Sequence, residues 1–341
     1  MKKEDNLNNL LRLNLNENKY ALSKSTFKKI TLFDRSVVTN YPNYNNIVNL
    51  IAKYINLGRE NILVTNGANQ GLDIVISSLF KNKSVIVPTP TYYPIYFHLK
   101  NNNAKTKIVH YKTNKNNFVL PLKEILTKLK NANGIIIINP NNPLGTIIPQ
   151  KDLLKIIKTC NKLKKFCVVD EAYYEFYGKS CKDLIKHYKN LIVIRSFSKF
   201  FGLAGLRLGY IIAHKCLISK FKTYQGENTV NSFAIFAGET CLRDLNHFYK
   251  VRDAILKAKN DLYNFLVDNN IKSWKSNTNF LLIKHKDSNQ IYKQLYEKKI
   301  LVSNTSNYSH YDNLLKNTLR ITVPIGKDLA FLKKTIIKRN N

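Results

Sequence analysis

No stretch of this sequence approaches the ~20 consecutive apolar residues that a membrane span requires. The amino-terminal MKKEDNLNNLLRLNLNEN sets acids and amides among its leucines, unlike the unbroken apolar core of a secretory leader. The chain is therefore expected to act in the cytoplasm, with no membrane partner. Its five cysteines, Cys160, Cys167, Cys181, Cys216 and Cys241, are odd in number and form no Cys-x-x-Cys pair, which argues against a disulfide framework and against a zinc site. They read as buried or idle thiols. No internal repeat and no low-complexity linker interrupts the chain. Acidic residues are scarce, 22 against 55 Lys and Arg, for a formal charge of +33. A field of that size attracts nucleic acid, anionic surfaces and anionic metabolites alike. The lysines are dispersed among asparagines, however, and no recognition-helix, zinc-finger or aromatic RNP pattern accompanies them. The charge reads as a bias of solvated faces, nucleic acid is not the expected partner, and a phosphorylated small molecule would benefit from the field.

The 341 residues, 44% of them hydrophobic, suffice for one large core and a smaller satellite, because single cores stop growing near roughly 250–300 residues. From about residue 47 to 215, strands alternate with amphipathic helices. ENILVTNG, SVIVPTP and TKIVHY read as strands, as do the apolar runs GIIIIN (134–139), FCVVD (166–170) and LIVIRS (191–196). Between them, ANQGLDIVISSLF places Leu72, Val75, Ile76 and Leu79 on one helical face, and QKDLLKIIKTCNKL does the same with Leu153, Ile156, Ile157 and Cys160. This alternation predicts an α/β fold with a mostly parallel sheet between helices. After about residue 240 a long helical stretch leads to NFLLIKH, a helix near 288–298, and TLRITVP, the order of a smaller α+β domain. The expected division is a large domain over 36–240 and a small one from 1–35 with 241–341.

Three of the strand-like runs are followed by polar loops at intervals of about thirty residues: NPNNPLG (139–145), DEAYYEF (170–176) and SFSKFFGLAGLRLGY (196–210). In an open parallel sheet these gather outside the carboxyl ends of the strands, where such folds place cofactors. A lysine just after a strand can form a Schiff base with an aldehyde cofactor, and a carboxylate at a strand end can bind a ring nitrogen. Lys199 and Asp170 fit those roles, which together describe pyridoxal phosphate chemistry. Ser196, Ser198 and Arg207 offer hydroxyls and a guanidinium to a phosphate. TNGANQG adds free backbone N–H groups at a helix start. Glu171 and Glu175 have no motif partner and read as structural or solvated.

With these motifs, and with LNLNENKY (13–20), YPNY (41–44), PTPTYYPIY and TLRITV (318–323), the chain resembles the fold-type I pyridoxal-phosphate aminotransferases. Within them it is similar to the histidinol-phosphate aminotransferase group, which includes threonine-phosphate decarboxylases. The resemblance implies that Lys199 forms the Schiff base and shuttles a proton, that Asp170 pairs with the pyridinium, and that Tyr173 and Asn142 bond its phenolic oxygen. It also implies that Tyr92 stacks on the ring, and that Ala68, Asn69, Ser196, Ser198 and Arg207 hold the phosphate. Arg320 would grip a substrate carboxylate or phosphate, with Tyr20 and Asn142 facing the substrate. A homodimer follows from the same likeness, Tyr41 crossing the interface to the partner's phosphate.

The chain departs from the group where an arginine usually follows the Ile-Leu-Val strand, and Ser303 stands instead. Leu144, Lys19 and Pro324 replace the usual Thr, Pro and Gly of their motifs. The expected activity is transfer of an amino group from glutamate to a phosphorylated keto or aldehyde acceptor. The alternatives are decarboxylation of a phosphorylated amino acid such as phosphothreonine or phosphoserine, and, from another class, an inactive basic nucleic-acid-binding protein on this fold.

Overall fold

Runs of isoleucine and valine set the centre of the molecule. In the computed structural model, which describes residues 10–114, 117–308 and 313–337, they form the strands Gly134–Ile138, Phe166–Asp170 and Leu191–Ser196. Every residue of these strands except Phe166 is buried. Burial on both faces explains why the runs are continuous rather than alternating. They lie in a seven-stranded sheet of order Ile62–Thr65, Gly209–Ala213, Leu191–Ser196, Phe166–Asp170, Gly134–Ile138, Ser84–Thr89, Lys105–His110. Neighbours pair in parallel except at Gly209–Ala213, which runs antiparallel to both of its partners.

Alternate residues of each strand feed separate cores on the two faces. Ile135 and Ile137 pack with Leu153, Ile156, Ile157 and Cys160 of the helix Gln150–Lys162. Ile136 and Ile138 pack with Leu72, Val75, Ile76 and Leu79 of the helix Gly67–Leu79. The predicted helical stripes are thus the buried faces. Register aligns Ile138 with Asp170 and Asp170 with Ile194, so the loops after residues 138, 170 and 196 emerge side by side at one edge.

A second, antiparallel sheet has the order Lys272–Ser273, Phe280–Lys284, Thr318–Thr322, Ser303–Asn304. It shares a core with the helices Leu245–Asp268, Ser288–Glu297 and Lys327–Ile336 through Leu262, Leu281, Leu295, Leu319 and Leu332. Beside it the short strand Leu11–Arg12 pairs in parallel with Ile300–Leu301. Leu13 joins this core, whereas Ala21 and Ile30 join one of the two cores of the large sheet, so the amino-terminal segment crosses from one body to the other. Four cysteines are buried and Cys216 is exposed, all as free thiols. No helix among the described residues is long and apolar enough to cross a membrane.

Candidate active site

Two of the polar loops are fixed by their own side chains in ways that leave functional groups over. In the loop after Ile138, Asn139 Oδ1 accepts from Ile148 N at 2.9 Å and Asn141 Oδ1 from Leu144 N at 3.0 Å, while Asn141 Nδ2 donates to Pro90 O at 3.1 Å. Asn142 is then free to face a cavity of about 460 Å³ at the sheet edge. In the turn after Leu191–Ser196, Phe197, Phe200 and Phe201 are buried and pack on one another, with ring centroids 4.7 and 4.9 Å apart. Anchoring by those rings leaves Ser196, Ser198 and Lys199 to line the cavity. Ala68, Asn69, Tyr92, Asp170, Tyr173, Arg207 and Arg320 line it as well.

The helix Gly67–Leu79 starts at the cavity because two glycines allow it. Gly67 has φ +73°, and a Cβ there would sit 3.0 Å from Arg207 Nη2. A Cβ at Gly209 would come within 2.6 Å of Ala68 N and Gly67 C, so the helix start lies directly on the antiparallel strand. Its first backbone N–H groups have no helical acceptor, which makes this end receptive to an anion.

Lys199 and Asp170 are tuned in opposite directions. Burial, reinforced by the guanidinium of Arg320, draws the Lys199 ammonium down to about 7; Arg207 adds to this, while Glu17 and Asp170 oppose it. Burial pushes the Asp170 carboxyl up to about 7, against the stabilising Ala172 N–H 2.9 Å from Oδ1 and the attraction of Lys199. An amine that is half uncharged near neutrality is a nucleophile and a base. The shifts also make stability depend on pH. Between about 4 and 7 the folded chain keeps a proton on Asp170 that the unfolded chain has lost, so stability falls as pH rises. Between about 7 and 10 the unfolded chain keeps the Lys199 proton that the folded chain has lost, so stability rises with pH. For protein freed of bound small molecules, Asp170→Asn is expected to reduce the slope of the first limb of melting temperature against pH, and Lys199→Met that of the second, while Glu175, raised to about 8, and Lys259, lowered to about 8, both by burial, keep part of each. Limbs as steep as those of the wild type would show the Asp170 and Lys199 shifts to be wrong.

The far wall comes from the second sheet and the amino-terminal segment. Arg320, 6% exposed, donates from Nη1 to Asn142 Oδ1 at 2.6 Å and from Nη2 to the Asn14 carbonyl. Its Nε is buried with no hydrogen-bond partner among the described residues. Lys199 Nζ donates to the Leu15 carbonyl at 2.8 Å, and Asn16 Nδ2 to Tyr173 Oη at 2.9 Å. Asn16 has φ +56° and is itself held by Thr322 Oγ1 and Asn279 Nδ2 at 3.0 Å. Residues 14–16 therefore contact three groups of the site, and sequence reasoning missed them. The one signal available was asparagine at every second position of LNLNEN, an alternation that a strand laid on a sheet would show.

Two expected site residues lie elsewhere in the chain. Tyr20 does not line the cavity; its hydroxyl donates to Asp328 Oδ2 at 2.8 Å, where Lys19 also pairs with Asp328 at 2.7 Å. Tyr41 is 85% exposed and away from the cavity of its own chain. Glu171 and Glu175 are buried rather than solvated. Glu171 pairs with Arg195 at 2.9 Å and accepts from Ser180 Oγ and Cys181 N at 2.6 and 2.8 Å. Glu175, pushed up to about 8 by burial, lies near Tyr54. Ser303 stands directly opposite Arg320 in the strand pair and bonds Tyr308 Oη at 2.8 Å, a tyrosine that lines the cavity.

Comparison with known proteins places this geometry. Residues 8–330 match the family model for aminotransferase class I and II. Histidinol-phosphate aminotransferase of Clostridium novyi (strain NT) is 33% identical over 325 residues, 92% of this chain and 87% of that one. The crystal structure of histidinol-phosphate aminotransferase from Clostridium acetobutylicum superposes with TM-score 0.88 at 25% identity, covering 96% of this chain and 98% of that one. The enzyme of that name from Sinorhizobium meliloti, solved in complex with pyridoxal-5'-phosphate, shares the fold with TM-score 0.83 at 20% identity, over 96% of this chain and 90% of that one.

Proposed function

This chain belongs to the class I and II aminotransferases, and from that premise we propose that it moves the amino group of glutamate to a phosphorylated keto or aldehyde acceptor, with pyridoxal 5'-phosphate in the cavity. One observation carries the reading: a lysine and a carboxyl, both drawn to about 7 by burial, share the cavity with a buried guanidinium whose Nε has no partner among the described residues. The residues present fit the cofactor. Lys199 suits its aldehyde, Asp170 its ring nitrogen, and the start of the helix Gly67–Leu79 with Ser196, Ser198 and Arg207 its phosphate. Asn142 and Tyr173 would face its phenolic oxygen, and Tyr92 its ring.

When bound, the cofactor supplies an electron sink for the pair left on the substrate α-carbon. Lys199 Nζ, uncharged in part near neutral pH, moves the proton off that carbon. Asp170, kept from water, holds a proton on the ring nitrogen by its negative charge. Asn142 Oδ1 and the Asn14 carbonyl fix the guanidinium plane of Arg320, leaving the guanidinium aligned for an anionic group of each substrate in turn. Arg320→Met is expected to raise KM for both donor and acceptor by about ten- to a hundredfold, the worth of a charged hydrogen-bond pair, with a smaller effect on kcat. Steady-state kinetics with each substrate varied checks this, and unchanged KM values would remove Arg320 from the substrate site.

The proposal extends to a homodimer in which Tyr41 reaches the partner's cofactor phosphate. Support comes from apolar side chains exposed in the same amino-terminal stretch of chain, Phe27 at 55%, Leu32 at 69% and Val38 at 68%, because exposed apolar surface, where contiguous, marks an interface. Sedimentation should give twice the chain mass, and a fully active monomer would exclude the arrangement. The assignment as a whole is tested by adding L-glutamate without acceptor to protein loaded with pyridoxal 5'-phosphate. Release of 2-oxoglutarate in proportion to protein supports transamination. Its absence, with CO2 released from phosphothreonine or phosphoserine, would move the assignment to decarboxylation.

A further inference from the structure

One buried lysine takes no part in the chemistry described above. Lys259, on the helix Leu245–Asp268, is 5% exposed, and its Nζ donates to the Thr278 carbonyl at 2.7 Å. It pairs with no carboxylate among the described residues, and burial draws its ammonium down to about 8. An unpaired buried charge is costly, and a methionine would fill the same space without that cost. What the lysine adds is a donor, delivered to the turn 276–279. Hydroxyls of the turn itself close it: Ser276 Oγ accepts from Thr278 N and Thr278 Oγ1 from Phe280 N, each at 3.2 Å.

The turn touches both bodies that form the cavity. On one side Asn277 N donates to the Gly145 carbonyl at 2.8 Å, at the end of the loop that carries Asn142. Contact there is close, for a Cβ on Gly145 would come within 2.5 Å of Ser276 Oγ. On the other side Val323 N donates to the Asn279 carbonyl at 2.9 Å. The strand starting at Phe280 pairs with the strand of Arg320, Phe280 against Thr322 and Leu282 against Arg320, and Arg320 Cζ lies 5.5 Å from the centre of the Phe280 ring. The bond from Arg320 Nη1 to Asn142 Oδ1 spans the same two bodies, so its geometry depends on how the turn is seated between them. We infer that Lys259 is a positioning residue: by pinning the Thr278 carbonyl it seats the turn 276–279 on the Asn142 loop and thereby holds the Arg320 guanidinium aligned at the cavity. The inference rests on reading Arg320 as the residue that takes the anionic group of the substrates.

The test uses the full chain loaded with pyridoxal 5'-phosphate and mixed with L-glutamate at varied concentration without acceptor, the release of 2-oxoglutarate being timed. Lys259→Met is expected to raise the half-saturating glutamate concentration by about five- to tenfold, the worth of one hydrogen bond. The maximal rate and the affinity for pyridoxal 5'-phosphate should stay within about twofold of wild type, since the lysine reaches the site only through Arg320. Lys259→Arg, which keeps N–H donors on a long stem, should stay near wild type. In the Arg320→Met background Lys259→Met should add nothing, because the guanidinium it aligns is gone. An unchanged half-saturating concentration, equal values for Lys259→Met and Lys259→Arg, or a loss that multiplies with that of Arg320→Met would reduce Lys259 to a packing role and overturn the inference. Should Lys259→Met fail to fold, Gly145→Ala presses the same turn from its other side, and an unchanged half-saturating concentration there overturns it too. A wild-type chain that releases no 2-oxoglutarate would overturn the transaminase reading itself, and the role of Lys259 with it.

Discussion

Lys199→Ala is expected to fold as the wild type does and to lose turnover by about 10⁴-fold or more, because in the proposed function one nitrogen supplies both the covalent anchor and the mobile proton. Folding should survive because, among the described residues, the amine makes a single hydrogen bond, to the Leu15 carbonyl. Leu15 is 51% exposed, so water can replace the lost donor. Removing a group that burial holds down to about 7 also relieves a desolvation cost, and the melting temperature should not fall near neutral pH. Circular dichroism and melting check the first half, and single-turnover assay with glutamate the second. Turnover within tenfold of wild type would refute the assignment of Lys199.

Asp170→Asn is the second large effect, a loss in kcat of about 10²- to 10⁴-fold, the range associated with a proton held at the right atom. The substitution is close to isosteric, and the asparagine oxygen can still accept from Ala172 N, now bonded to Asp170 Oδ1 at 2.9 Å. What changes is the other side of the group. A carboxylate favours a protonated ring nitrogen opposite it, whereas an amide presents a donor and favours the unprotonated form, in which the ring is a poor electron sink. Cofactor affinity should change by less than about tenfold, since Lys199 and the residues proposed to hold the phosphate remain. The loss is thus expected in kcat and not in occupancy. A variant that keeps kcat within tenfold would show that Asp170 does not face the ring nitrogen.

Much of this was legible in the sequence because it is local. GIIII, FCVVD and LIVIRS read as buried parallel strands since each is covered on both faces. The loops that follow them had to meet at one edge, and Asp170, Asn142 and Lys199 do so. The helical stripes at Leu72 and Leu153 were equally readable, because a period of 3.6 is written into consecutive residues.

Other features were decided by contacts between residues far apart in the chain. Lys199 bonds a backbone carbonyl 184 residues away, and Asn16 is held by Thr322 across 306. A carbonyl has no residue-type signature, so Leu15 and Asn14 could not be singled out. Tyr20 belongs to an informative motif yet turns to Asp328, because the helix starting at Lys327 offers its hydroxyl a carboxylate. The sequence left Glu171 as structural or solvated, and only the fold, which lays Arg195 of the neighbouring strand against it in the core, makes it structural. The sequence by itself determined the strands, the helices and the edge at which chemistry gathers, since periodicity and loop position are properties of neighbouring residues. Tertiary structure alone decided which buried polar atoms meet across that edge, since each must find a partner wherever the fold brings one within reach.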